Sequence, residues 1–464
     1  VTSQRTSPEG KRSTSSKNNN PRKAKTKRWL WFTLGMGGIA MVSGMAGALL
    51  AVSWDSTPLQ HSHLSATEAS VFDGDRISGD GLKFSQLTRP VNILLLGMSV
   101  LPPDVKNPPP ETKNLRYQVQ LNSFEGLSDV MLLLRFDPET KKIVILAIPR
   151  DTRIEIEKHG LKKINAANVY GGPALTAKTV SNLLDGVGID RYVRINILGM
   201  GQLIDALGGV NVYVPRDMNY RDDSQHLYIH LKAGEQHLNG DQALQLLRFR
   251  HDALGDIGRI QRQQLVLRAL INQALTPKTL TELPQILNTI KDHIDTNLTV
   301  EELVALFGFG VQTKHSNMQM LMVPGRFSNL KEFDASYWVP NQSGIDKLMS
   351  QYFSLGSIAQ SHSGISKDPA QVRVAIQDST GSNNAHLQTL VRMLEKSGYR
   401  NIFISRTWSQ PLDVTHVVAQ DGDTDSAALI RNSLGFGEVT VESTGNISSD
   451  VSVQVGKDWL RLVN

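Results

Sequence analysis

A chain of 464 residues, 20% of them charged, is long enough for two or three domains, each with its own core. Its 40% hydrophobic residues and 37 glycines exclude a mostly disordered, collagen-like or polytopic membrane protein. The absence of cysteine excludes disulfide scaffolds, thiol catalysis and cysteine-ligated zinc or iron–sulfur sites.

Residues 1–28 hold nine Lys/Arg and one acid, whereas the rest of the chain holds 40 Lys/Arg against 43 Asp/Glu. The net charge of +5 therefore sits in one Ser/Thr/Asn-rich tail without apolar periodicity, expected to be disordered. A basic tail is not a basic folded face, which argues against a nucleic-acid partner. Trp29–Trp54 is a run of 26 residues without a charge, flanked by Lys23, Lys25, Lys27 and Arg28. About 20 apolar residues span a bilayer, and basic flanks stay inside. The run predicts one transmembrane helix, with the N-terminus cytoplasmic and everything after Asp55 extracytoplasmic, at the plasma (inner) membrane. The competing reading is a cleaved signal peptide, whose apolar core is about 7–15 residues.

After a linker at 55–87 the pattern turns to mixed strands and helices. Val91–Gly97, Asp129–Phe136 and Lys142–Pro149 are short apolar runs suited to buried strands, with a hairpin turn at Asp137–Thr140. Helices are predicted over Pro173–Leu184 and Leu198–Leu207, and strands over Val210–Val214 and Leu227–Leu231. Asn239 with Gln242, and Thr299 with Glu302, read as capping boxes; Asp256 reads as the cap of a helix running to Leu275. These elements predict a layered α/β domain over 88–354. A Ser/Gly-rich linker at 355–370 leads to a small α/β domain at 371–464. It is marked by strands at Val372–Ile376 and Val451–Val455 and by an apolar stripe, Leu387 to Leu394, ended by Gly398.

The chemistry concentrates in DQALQLLRFRHDALGDIGRIQRQQ, residues 241–264. Arg248 and Arg250 lie at a helix exit. Arg259, Arg262 and Gln263 fall at i, i+3 and i+4, predicting a shared helix face. Guanidinium forks match phosphate oxygens, so this density near a helix N-terminus suits phosphate or pyrophosphate. Arg150 and Arg153, in IPRDTR, can complete the cluster. The bland alternative is salt-bridging to Asp151, Asp241, Asp252 and Asp256.

In order, NILLLG, SDVMLLLRFDPETKKIVILAIPRDTR, KINAANVYGG, IDALGGVNVYVP and LRFRHDALGDIGRIQRQQ resemble the LytR–CpsA–Psr family of membrane-anchored bacterial cell-wall ligases. VRVAIQDSTG to VQVGKDW, residues 371–459, resembles the LytR C-terminal domain. The resemblance implies an α/β/α catalytic domain with a small C-terminal α/β domain. It also implies a phosphotransferase moving a glycopolymer from a polyprenyl-pyrophosphate carrier to a peptidoglycan hydroxyl, with Mg2+. By motif position, Arg150, Arg248, Arg250, Arg259 and Gln263 would hold the pyrophosphate and Asp129 would help bind the metal; Arg153 and Arg262 are substrate-binding candidates from the arginine cluster itself. Asp151 or Asp252 would serve as base. The family usually has aspartate where this chain has Ser99 and arginine where it has Leu127; Asp104, Glu111 and Glu125 are candidate replacement acids. Those departures leave two other classes open: a catalytically weak binder of polyprenyl-pyrophosphate glycans, and a structural protein gripping the wall. The apolar faces of the helices near 174–184, 198–207 and 267–275 suit either a lipid groove or plain core.

Overall fold

The computed structural model describes residues 59, 62–79, 86–99, 124–222, 227–249, 255–314, 317–329, 331–354, 368–382, 386–405, 410–420, 422–443, 445–446 and 448–463. The expected tail, membrane span and most of the 355–370 linker lie outside them. Among the described residues no helix is long and apolar enough to cross a membrane.

The larger domain is built on a six-stranded mixed sheet. Its strands are β1 (Val91–Ser99), β2 (Leu127–Asp137), β3 (Lys142–Ala147), β4 (Arg191–Ile195), β5 (Ile294–Thr296) and β6 (Met318–Met322), in the order β5-β4-β1-β2-β3-β6. β1, β2 and β3 are antiparallel neighbours, whereas β4 joins β1 and β6 joins β3 in parallel. The predicted β2–β3 hairpin is present, with Lys141 at φ 55 closing its turn.

Side-chain alternation along the strands separates the two faces. Leu94, Leu96, Met131, Leu133 and Leu146 pack on one side against α1 (Ala167–Leu183). Ile93 and Leu132, with Ile143 and Ile145, belong to clusters on the other side. That side is covered by α4 (Gly255–Ala274) and α6 (Val300–Gln312). Helices on both faces make a three-layer α/β/α domain. α1 is interrupted at Gly171 and Gly172, and Gly172 has φ 58 and ψ −152, a region only glycine occupies readily. Its regular part starts at Pro173, as the missing amide of proline favours.

Further helices are α2 (Ile197–Ala206), α3 (Gly240–Arg248), α5 (Pro277–Ile290) and α7 (Gln342–Tyr352). The capping boxes of Asn239 with Gln242 and Thr299 with Glu302 are both formed. Asp256, expected as a cap, lies inside α4 because the helix begins at Gly255. Helix α5 and strand β6 were not among the expected elements: α5, capped by Thr276 with Pro277 in its first turn, carries an internal Pro284, and β6 is a methionine-rich five-residue edge.

The smaller domain has a five-stranded sheet of β7 (Arg373–Asp378), β8 (Asn401–Ser405), β9 (His416–Ala419), β10 (Glu438–Val441) and β11 (Val451–Val455), in the order β8-β7-β11-β9-β10. Its helices are α8 (Leu387–Lys396), α9 (Thr424–Leu434) and α10 (Lys457–Val463). Leu390, Leu394, Ala427, Ile430 and Trp459 close the core over Val374, Val417 and Val453. Gly398 follows α8 at φ 95, the left-handed stop expected there.

Candidate active site

The C-terminal ends of β3 and β6 and the first half of α4 line a pocket. Asp129 reaches it from β2; Arg150 and Asp151 reach it from the turn after β3; Arg259, Gln263 and Gln264 reach it from α4. Met131, Leu132, Ile148, Leu267, Met322, Phe327 and Trp338 supply the apolar remainder of its wall. An apolar cleft with a few convergent polar groups is the usual form of a ligand site.

Asp129 is the centre of the polar end. Its Oδ1 accepts from Arg150 Nη1 at 2.7 Å and its Oδ2 from Arg259 Nη2 at 2.5 Å. Burial works to raise the pKa of this carboxyl, but the charges and hydrogen bonds of Arg259 and Arg150 overcome it and hold it below the ordinary aspartate value. The group is therefore a carboxylate that locks two guanidiniums facing one cavity. Arg150 is fixed from a second direction, its Nε lying 3.3 Å from Asp151, which also pairs with Lys163 Nζ at 2.7 Å. Lys163 comes from the Gly160–Lys163 strand of a hairpin, and no short-range pattern linked it to Asp151.

Five of the expected residues are thus together: Asp129, Arg150, Asp151, Arg259 and Gln263. Arg262 is not among them. It is 1% exposed, donates from Nη2 to the Phe249 carbonyl at 2.6 Å and lies over the Phe249 ring. Helix geometry accounts for the split: from Arg259, positions i+3 and i+4 swing to opposite sides and differ from each other by about 100°. Only i+4 stays over the cavity, and i+3 turns into the core. Arg153 also departs from expectation, its guanidinium stacking on Phe333 at 4.4 Å and facing Tyr337 at 5.8 Å, with neither aromatic lining the pocket. Arg248 ends α3 half-buried and does not line the cavity. Arg250, Asp252, Asp104 and Glu111 lie outside the described residues, and Glu125 is exposed.

The two departures from the family pattern prove to be neighbours: Ser99 and Leu127 are register partners at the end of the β1–β2 ladder, beyond a register shift at Gly97/Met98. Of the three helices proposed as lipid groove or core, α1 and α2 bury Ala177, Val180 and Ile204 in core clusters, and only Leu267 of α4 reaches the pocket. The residues that sequence reasoning missed are Gln264 and the aromatic wall. Trp338 arrives by a long-range contact, its amide donating to the Asp151 carbonyl at 2.9 Å. Among the described residues the buried Gln264 side-chain carbonyl finds no hydrogen-bond partner.

A family model described as LytR_cpsA_psr matches residues 59–354, which is most of the chain. The chain belongs to that family. A second, described as LytR cell envelope-related transcriptional attenuator, matches residues 371–459. Among curated relatives, the polyisoprenyl-teichoic acid–peptidoglycan teichoic acid transferase TagU of Bacillus cereus is 30% identical over 326 residues, covering 69% of this chain and 95% of TagU. TagV of Bacillus subtilis, which bears the same transferase name, is 33% identical over 229 residues, covering 48% of this chain and 58% of TagV. Among solved structures, B. subtilis TagV matches at TM-score 0.46 and 29% identity, over 57% of this chain and 95% of that one.

Proposed function

We propose that this LytR–CpsA–Psr protein is a membrane-anchored phosphotransferase. It moves a glycopolymer from a polyprenyl-pyrophosphate carrier to a peptidoglycan hydroxyl and releases polyprenyl phosphate. The observation that carries the reading is the pair of guanidiniums, Arg150 and Arg259, locked by Asp129 at the polar end of an otherwise apolar pocket. The names of TagU and TagV, transferases that join teichoic acid to peptidoglycan, support it. The basic residues 1–28 and the uncharged run Trp29–Trp54 support a single-pass anchor with the catalytic domain outside the plasma membrane.

The acceptor oxygen bonds to the sugar-side phosphorus while the bond from that phosphorus to the bridging oxygen breaks, and the electron pair leaves with polyprenyl phosphate. Negative charge grows on the bridging and leaving oxygens, so fixed guanidiniums that require no reorganisation are the main contribution. Arg150 and Arg259 hold those oxygens, and Gln263, one turn beyond Arg259, donates from its amide. Asp151, the pocket carboxylate not shared between these two arginines, takes the acceptor's proton. The wall of Leu267, Met322 and Trp338 excludes water from the reacting end.

Among the described residues there is no group of three or more acidic or histidine side chains able to hold a metal. The donor set nevertheless fits magnesium in a shared mode: Asp129 is ionised, each of its oxygens keeps acceptor capacity, and magnesium takes one or two carboxylates plus phosphate oxygens. When bound there, it would add charge neutralisation on the pyrophosphate.

The test incubates the purified protein with a short polyprenyl-pyrophosphate-linked glycan and a peptidoglycan oligomer, with and without magnesium, and follows polyprenyl phosphate. The expected result is magnesium-stimulated release coupled to a new glycan–peptidoglycan phosphodiester. Binding without release would favour the second reading, a glycan-lipid binder, which the adjacent Ser99 and Leu127 motivate.

A further inference from the structure

The smaller domain grips the helix that carries Arg259. Its edge strand β10 runs on into Glu442, which forms a parallel bridge with Met320 of β6, and the Ser443 amide donates to the Met320 carbonyl at 2.7 Å. The two sheets thus meet edge to edge. From this junction Glu442 pairs with Arg268 of α4, and three residues on, the Gly445 carbonyl accepts from Gln261 Nε2 of α4 at 3.5 Å. Gly445 is packed so tightly on Gln420 and Ser452 that no side chain fits there, so its carbonyl is held in place. A second anchor lies on α7, where Tyr352 Oη donates to the Gly422 carbonyl at 2.9 Å.

Gln261 sits midway between Arg259 and Gln263 on one helical turn. At about 100° per residue it points away from both, so the smaller domain grips a face turned away from Arg259 and Gln263. A small cleft lined by Gln420 and Ser443 from the smaller domain shares Met322 and Trp338 with the main pocket. The smaller domain therefore stands directly behind the wall of the site.

We propose that the C-terminal domain is a brace for α4. Through Glu442 on Arg268 and the Gly445 carbonyl on Gln261, it sets Arg259 and Gln263 at the height where they meet Asp129 and the pyrophosphate. These are positioning residues and touch no substrate. The affinity part of the proposal rests on the pyrophosphate reading of the pocket; the mechanical part does not.

The experiment uses the full chain in detergent and three variants: Glu442→Arg, Arg268→Glu and the charge-swapped double variant. Affinity for inorganic pyrophosphate is measured by calorimetry, and amide hydrogen exchange is followed across residues 255–274. Each single variant is expected to weaken pyrophosphate binding roughly three- to tenfold and to speed exchange in α4, and the swap to restore both. Unchanged affinity and exchange in Glu442→Arg would overturn the brace, as would a loss that the swap does not restore. If the parent protein binds no pyrophosphate, the pyrophosphate reading falls, and exchange in α4 alone decides the brace. Should the charge reversals prevent folding, Glu442→Gln gives the same reading on a smaller scale, with unchanged α4 exchange counting against the proposal.

Discussion

Two arginine–carboxylate clusters whose arginines are equally buried sit in different parts of the larger domain, and they do different things. In one, Arg194 meets Asp295 at 2.6 Å, with side chains 7% and 3% exposed; in the other, Arg259 meets Asp129 at 2.5 Å, with 8% and 15% exposed. Asp295 also accepts from the Ser62 amide at 2.6 Å and the Ser62 hydroxyl at 3.0 Å. The remaining donors of Arg194 reach the Phe124 carbonyl and Asn168 Oδ1. That cluster is closed on itself, tying strands β4 and β5 to the segments before β1 and β2. Among the described residues Asp129 receives only its two guanidiniums, and it opens onto the pocket. Guanidinium density does not make a site; what matters is whether the pairs retain bonding capacity directed at a cavity.

The largest expected effect lies at the closed cluster. Asp295→Ala leaves Arg194 buried without its charge partner and should cost about 3–5 kcal/mol of stability, read by denaturant unfolding. A loss no greater than that of a surface substitution would break the comparison. Arg259→Ala should do the reverse, weakening pyrophosphate binding about a hundredfold, as loss of more than one charge-assisted hydrogen bond predicts, with the smaller stability change. Calorimetric titration checks it, and unchanged affinity would remove Arg259 from the site.

The acid limb sharpens the comparison further. Because the folded-state pKa of Asp129 lies below its unfolded value of about 3.9, the unfolded chain binds the proton first as pH falls. The stabilisation is complete above that value and is lost as pH drops through it toward the folded pKa. Asp129→Asn should therefore flatten the stability profile as pH falls below about 5, compared with the parent. Identical slopes would mean that the two arginines do not govern this carboxyl. The smallest effect is expected at Arg153, whose contacts are aromatic: Arg153→Ala should cost about 0.5–1 kcal/mol of stability and leave pyrophosphate affinity within about twofold. A large affinity loss would place Arg153 back in the site.

The strands β1 to β3 were legible because their apolar runs are long, their turn is Asp-Pro-Glu-Thr, and their burial on both faces leaves one character to the whole segment. The capping boxes at Asn239 and Thr299 were legible because capping is a contact between residues three apart. Strand β6 was not, since five residues rich in methionine become a strand only when β3 offers an edge. Nor was the place of Arg262: the i, i+3 and i+4 spacing admits either neighbour of Arg259 as its companion, and the position of the core chose Gln263.

By itself the sequence determined the alternating pattern of the larger domain, the position of the smaller one and the family to which the chain belongs. All of these depend on periodicity, caps and motifs acting over a few residues. Only the tertiary structure decided that Asp129, Arg150 and Arg259 share one pocket. It alone turned Arg262 and Arg153 away, supplied Trp338 and Lys163, and set the second sheet behind α4 through Glu442. The longest of those relations join residues well over a hundred positions apart. They arise from which strand edges pair and which helix faces find core, and no local pattern encodes that choice.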